Sequence, residues 1–160
     1  KLDISITIIS HTTSPIKRDG LNLGDILGYS GDLGSVGSDL NRLLAGEKID
    51  KTSKFIKPTL RSNFFHKVAP YLTSAMDISD GLSKDLSRLS DINGVGFEFF
   101  VDLDKKLLCS GEEYEVLFSC NEKDLDKIKE IAKTTSTTVT FFAKAVDGTY
   151  KSICKENHFE

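Results

Sequence analysis

The sequence is poor in cysteine: Cys109, Cys120 and Cys154 are odd in number, far apart and without CxxC spacing. That pattern predicts reduced thiols in a cytoplasmic protein rather than a disulfide frame or a zinc site. Positive charge is not in excess. The net charge is −3 at pH 7, which argues against a broad nucleic-acid surface. No apolar run approaches the roughly 20 residues that cross a bilayer, and no basic segment followed by an apolar one marks a secretory signal. Internal repeats, low-complexity tracts and Gly/Ser linkers are missing as well. A Walker A loop is absent, and Gly94-Val95-Gly96 lacks the third glycine and helix of a dinucleotide fingerprint. His11, His66 and His158 stand apart, and no serine sits in a nucleophile elbow, which disfavours serine-hydrolase chemistry.

What remains is an ordinary globular composition, with 39% hydrophobic and 28% charged residues over 160 positions. A chain of this size buries roughly 70% of its unfolded surface, so its core needs no disulfide or structural metal. It opens on Lys1 and soon enters an alternating isoleucine pattern over residues 3–9, which predicts a strand. A strand at the first residues implies something before it. Residues 1–15 are therefore expected to be the end of a missing N-terminal domain or a linker strand, with residues 16–160 as one C-terminal domain.

Further strands are expected at 25–29, 74–78, 95–101 and 114–120, with a hairpin of 138–145 and 149–154 about Asp147-Gly148. Helices are expected after the Gly-rich turn 30–34, over 58–69 until Pro70, and over 125–132. Another follows Asp80, its predicted N-cap, with Leu82, Leu86, Leu89 and Ile92 as the buried stripe and Asn93-Gly94 as its stop. Strands and helices alternate while the last strands pair locally, so the fold class is α+β, a mixed β-sheet flanked by helices.

Three segments carry chemistry. Asp77-Ile78-Ser79-Asp80-Gly81-Leu82 lies at a strand-to-helix junction. Two carboxylates and a hydroxyl there suit Mg²⁺ that keeps waters and touches phosphate, and a helix N-terminus favours phosphate oxygens. The same residues also suit a plain cap and a solvated strand end. Ser110-Gly111-Glu112-Glu113-Tyr114-Glu115 is either a ligand-binding acidic loop or a solvated one. Lys17-Arg18-Asp19-Gly20, with Ser30-Gly31-Asp32-Leu33-Gly34, offers an arginine fork and glycine amides for an anion. The phenylalanines read as core.

Taken in order, these segments resemble the thiamine-monophosphate kinase family, within the superfamily of aminoimidazole-ribotide synthetase and selenophosphate synthetase. Ala75-Met76-Asp77-Ile78-Ser79-Asp80-Gly81-Leu82 is nearly the family's whole signature, and residues 110–115 resemble its Gly-Gly-Glu-Asp-Tyr-Glu. Tyr29-Ser30-Gly31-Asp32-Leu33-Gly34 is similar to its Val-Thr-Gly-x-x-Gly, and Lys57-Pro58-Thr59-Leu60-Arg61 to its Arg-Pro-x-Pro-Arg. Lys17-Arg18-Asp19-Gly20 with Leu23-Gly24-Asp25 looks like its Arg-Ser-Gly-Ala…Pro-Gly-Asp.

The resemblance implies the fold of that superfamily's C-terminal domain, with ATP as co-substrate, Mg²⁺ as cofactor and thiamine monophosphate as acceptor. It implies Asp77 and Asp80 as catalytic Mg²⁺ ligands, Ser79 and Arg18 as ATP contacts, and Glu112 as a substrate contact. Glu156 stands where the family has a substrate-stacking aromatic, a weaker substrate position. Ser110 and Glu113 depart from the family's Gly and Asp. The family's N-terminal half supplies further Mg²⁺ aspartates and the homodimer interface, so the isolated chain is expected to be inactive. A related enzyme acting on a ribotide or selenide, or a non-catalytic binding domain of the same fold, are the alternatives. Neither a nucleic-acid nor a membrane partner is expected.

Overall fold

The computed structural model describes residues 4–9 and 11–154. Five strands, β1 (Ile26–Ser30), β2 (Leu72–Asp77), β3 (Val95–Phe99), β4 (Val116–Cys120) and β5 (Val139–Asp147), form one sheet in the order β2-β4-β1-β5-β3. The helices are α1 (Ser35–Leu44), α2 (Ser62–Val68), α3 (Leu82–Asn93), α4 (Lys105–Leu108) and α5 (Leu125–Thr134). The expected α+β architecture holds, but every pairing in the sheet is antiparallel. Alternating strands and helices suggested parallel crossovers; the connections instead skip across the sheet, and among the described strands no two neighbours are consecutive in the chain.

The order puts β1 in the middle, where all five of its residues are buried. Covering both faces is what turns a strand from alternating to uniformly apolar. On one face Leu27 and Tyr29 pack with Leu82, Leu86 and Leu89 of α3. On the other, Ile26 and Phe118 pack with Phe64 and Val68 of α2 and Ile128 and Ile131 of α5. Each fully buried leucine of α3 contributes about 1.5–3 kcal/mol, against about 1 kcal/mol for a side-chain cap. Packing therefore decides that helix. Its N-cap is Gly81, with no side-chain cap bond, so Asp80 does not cap it. Gly94 ends it in the left-handed region, as expected.

Three other expectations change. Residues 4–9 form no strand, and Ile4, Ile6, Ile8 and Ile9 are exposed; an alternating pattern becomes a strand only beside a partner edge. The hairpin about Asp147-Gly148 does not form, because β3 takes the place beside β5 that the second arm would occupy. Residues 149–154 lie outside the sheet. Finally, Cys109 and Cys154 are joined as a disulfide, Cα to Cα 5.5 Å, leaving Cys120 as the free, buried thiol among the described residues. Spacing along the chain gave no sign of this pair, because tertiary structure makes it: α4 packs by α3, and Ser83 and Ser90 of α3 accept the N–H groups of Ile153 and Tyr150. His11 and His66 are exposed, and His158 lies outside the described residues. No described helix is long and apolar enough to cross a membrane.

Candidate active site

The two acidic segments meet. β2 ends at Asp77, and the chain preceding β4 runs back along it. Ile78 donates its N–H to the Glu115 carbonyl at 2.8 Å, Tyr114 to the Ile78 carbonyl at 2.9 Å, and Glu112 to the Ser79 carbonyl at 2.7 Å. This ladder requires Glu112 and Tyr114 to sit at φ 59 and 51, left-handed conformations that cost side-chain-bearing residues about 1–3 kcal/mol each. Gly81, at φ 102, lies so close beneath residues 108–110 that a Cβ would stand 3.2 Å from the Leu108 carbonyl oxygen.

Arg18 reaches the same edge. The Lys17 carbonyl accepts the Ala75 N–H at 3.1 Å, and Gly20 presses so near β2 that a Cβ would fall 2.0 Å from the Thr73 carbonyl oxygen. Residues 17–20 are thereby laid along the outside of β2, with Arg18 Nη2 3.6 Å from Asp77 Oδ1. Asp80 turns elsewhere, pairing with Arg88 of α3. The acids bracketing Ser79 thus have different partners, both half-exposed, and no group of three or more His, Cys, Asp or Glu positioned to hold a metal occurs among the described residues.

A carboxylate not predicted as functional organises this junction. Asp85 is fully buried, accepts the Ser79 N–H at 3.1 Å and pairs with Arg88 Nη1 at 2.7 Å. Burial outweighs that arginine and pushes its carboxyl up to about 6. The sequence did hold a signal. Positions 82, 85, 86 and 89 share one helix face, so an acid stands inside the leucine stripe.

The acidic loop divides. Glu113 and Glu115 are fully buried and only Glu112 of the three glutamates is exposed. Glu115 accepts two bonds from Arg61 at 2.9 Å, one from Ser30 Oγ at 2.6 Å, and lies 3.1 Å from Lys54 Nζ. Burial alone would raise its carboxyl, but the Arg61, Ser30 and Lys54 contacts together hold it below the usual value. Glu113 accepts from Lys54 Nζ at 2.9 Å, Gly34 N–H at 2.8 Å, Val36 N–H at 3.3 Å and Ser110 Oγ at 2.5 Å, while Ser110 Oγ accepts the Gly37 N–H at 2.8 Å. Both glycine amides of the 30–34 turn thus have partners within the chain. The Gly34 amide is taken by Glu113 and the Gly31 amide by the Thr138 carbonyl, and α1 is capped by a residue 79 positions away.

Exposed Glu112 accepts a bond from the Tyr114 hydroxyl. The two residues line a cleft of about 400 Å³ with Leu40, Lys54, Phe55 and Pro58. On its other side Tyr114 borders a second cleft of about 250 Å³, shared with Asp77 and Phe65. Arg18, Asp77, Ser79 and Glu112 are thus brought to one edge of the sheet; Asp80 faces Arg88, and Glu156 lies outside the described residues.

No protein-family model matches the chain. Among curated proteins it is 28% identical over 143 residues to the thiamine-monophosphate kinase of Aquifex aeolicus, covering 74% of this chain and 47% of that protein. It is 31% identical over 127 residues to the Pyrococcus abyssi thiamine-monophosphate kinase, covering 69% and 41%. This chain is a homologue of the thiamine-monophosphate kinases. The solved structure of AaThiL complexed with AMPPCP and TMP superposes with a TM-score of 0.67 at 25% identity, over 85% of this chain and 49% of that one. The fold expected from the family resemblance is the one observed. The chain spans about half the length of the kinases it matches.

Proposed function

We propose that this chain is part of a thiamine-monophosphate kinase whose complete form transfers the γ-phosphoryl of ATP to thiamine monophosphate, giving thiamine diphosphate. One observation carries the reading: segments 77–82 and 110–115 are hydrogen-bonded into a single edge beside Arg18, in a homologue of these kinases. The AaThiL complex with AMPPCP and TMP supports the choice of both substrates.

In this reading Arg18 contacts nucleotide phosphate, Ser79 contacts ATP, and Glu112 meets the thiamine part from the edge of the larger cleft, with Glu156, outside the described residues, a weaker substrate candidate. Asp77 and Asp80 are half-exposed hard oxygen donors, which suits a cation that keeps much of its water. Two carboxylates are a partial ligand set, so further ligands come from outside these residues. The Asp80–Arg88 contact is half-exposed, and such pairs contribute only about 0–1 kcal/mol, so parting it for a metal costs little. Mg²⁺ bound there would neutralise charge between two anionic phosphates, the main obstacle in this reaction. The chain's own part is positional: Arg18 adds a fixed positive charge, and the Ser79–Glu112 bond sets the distance between the nucleotide and acceptor sides. No general base is required, since the attacking phosphate oxygen is already ionised near neutral pH, its second pKa being about 6.

The test is to incubate the full-length protein with ATP, Mg²⁺ and thiamine monophosphate and to follow thiamine diphosphate by chromatography. Formation of the diphosphate is expected. No formation, with turnover of a ribotide or selenide instead, would move the chain to another branch of the superfamily.

A further inference from the structure

The Cys109–Cys154 disulfide spans 45 residues of sequence and joins a stretch of chain outside the sheet to the end of α4. Residues 149–154 hang outside the sheet and touch α3 through Ser90 Oγ, which accepts the Tyr150 N–H at 2.7 Å, and Ser83 Oγ, which accepts the Ile153 N–H at 3.1 Å and bonds the Tyr150 hydroxyl at 2.8 Å. The Ile153 side chain is exposed.

The other cysteine occupies a more consequential position. Cys109 closes the four-residue helix α4, and the next residue begins the segment that carries Glu112. Residues 108–110 cross directly over Gly81, so Cys109 is anchored between segment 77–82 and segment 110–115. The disulfide ties a stretch of chain packed on α3 and β3 to the backbone that sets the Ser79–Glu112 contact.

Both cysteines are half-buried, within reach of a small thiol. Cys120 is buried, and burial pushes its thiol up to about 12, so it does not compete as a nucleophile. A domain of this size with apolar clusters on both faces of its sheet has no need of a disulfide to fold.

We propose that Cys109 and Cys154 form a reversible thiol–disulfide exchange site for low-molecular-weight disulfides of the glutathione class, and that its oxidation latches the segment bearing Glu112. In the forward direction one cysteine thiolate attacks R–S–S–R and expels RS⁻. The second thiolate then attacks the mixed disulfide and expels another RS⁻. Two protein thiols lose two protons and two electrons, and one R–S–S–R becomes two R–SH. The site is independent of which phosphate acceptor the protein uses.

The experiment equilibrates the chain in buffers of graded glutathione disulfide-to-thiol ratio, maps the cysteines by peptide mass, and follows backbone amide exchange by NMR. A Cys109–Cys154 link should form in disulfide-rich buffer and open in thiol-rich buffer. On opening, exchange at the Glu112 and Tyr114 amides should rise by about tenfold or more, as expected when a local tether is lost. C154S should show the open rates in every buffer and C120S should follow the wild type. The wild-type comparison stands alone if a variant fails to fold. Thiols that persist at every ratio, a link through Cys120, or unchanged exchange at Glu112 and Tyr114 on opening would each overturn the proposal.

Discussion

Glu112 donates its backbone N–H to the Ser79 carbonyl at 2.7 Å, and that bond joins two segments 33 residues apart into one surface. Position rather than composition gives each acid near it a separate task. Asp77 faces Arg18, Asp85 holds the turn from within, Glu113 caps α1, and Glu112 alone of the loop's glutamates looks outward.

Asp77→Asn in the full-length protein should lower kcat by roughly 100-fold or more, since in the proposed role it removes a carboxylate ligand of the cation that offsets phosphate charge. Its contact with Arg18 is half-exposed, worth about 0–1 kcal/mol, so Tm should move by no more than about 4 °C. Steady-state kinetics beside calorimetry check this, and unaltered turnover would strip Asp77 of a metal role.

Arg61→Ala should be a stability variant. It leaves buried Glu115 without its bidentate partner, a loss of about 3–5 kcal/mol and hence roughly 6–20 °C in Tm. Because the Glu115 carboxyl is held low, its contribution is present above the unfolded pKa and disappears as pH falls through the folded one. The stability gap between wild type and variant, read by circular dichroism, should therefore be full near neutral pH and narrow as pH falls.

Asp85 has the opposite sign. With its carboxyl raised from 3.8 to about 6, the folded state binds the proton more tightly than the unfolded state. The group thus favours folding below the unfolded pKa, and that contribution fades as pH rises through about 6, by roughly 3 kcal/mol in all. NMR titration of the metal-free chain should find a carboxyl near pH 6 that Asp85→Asn removes; a midpoint near 4 would refute the assignment.

Gly20→Ala should push residues 17–20 off β2, since its Cβ would fall 2.0 Å from the Thr73 carbonyl oxygen. The expected result in the full-length protein is a several-fold weaker affinity for ATP through displaced Arg18, together with a lower Tm. Calorimetric titration with a non-hydrolysable nucleotide reads the first effect. Full affinity would separate Arg18 from the nucleotide.

The 160 residues alone are expected to make no measurable thiamine diphosphate, because they span about half the length of the kinases they match and Asp77 and Asp80 are, in the proposed reading, a partial ligand set. A rate within tenfold of the full-length protein would contradict the partial ligand set.

Much of this was legible beforehand. The leucine stripe of α3, its Gly94 stop and the amphipathic α5 follow from periodicity, and the family resemblance rested on segments 77–82 and 110–115. What the sequence hid was anything decided by partners from afar. Isoleucines at 4, 6 and 8 alternate like a strand but find no edge among the described residues, and Asp147-Gly148 has hairpin chemistry but β3 occupies the neighbouring place. Asp80 has the side chain of a cap, yet Arg88 takes it and Asp85 does the work at the turn. Glu113 and Glu115 look like surface charge until Lys54 and Arg61 are placed against them. Cys109 and Cys154 become a pair only once α3 gathers both.

The strand order also governs how the molecule must assemble. Since β1 lies between β4 and β5, this strand emerges from the ribosome before either neighbour and waits, unpaired and apolar, until synthesis reaches residue 116. Among the described strands no hairpin offers a local nucleus, so folding of this sheet depends on closure between distant residues and belongs in the slow millisecond-to-second regime. A stop codon anywhere before residue 116 would strand β1 without either neighbour, an aggregation-prone product rather than a smaller domain.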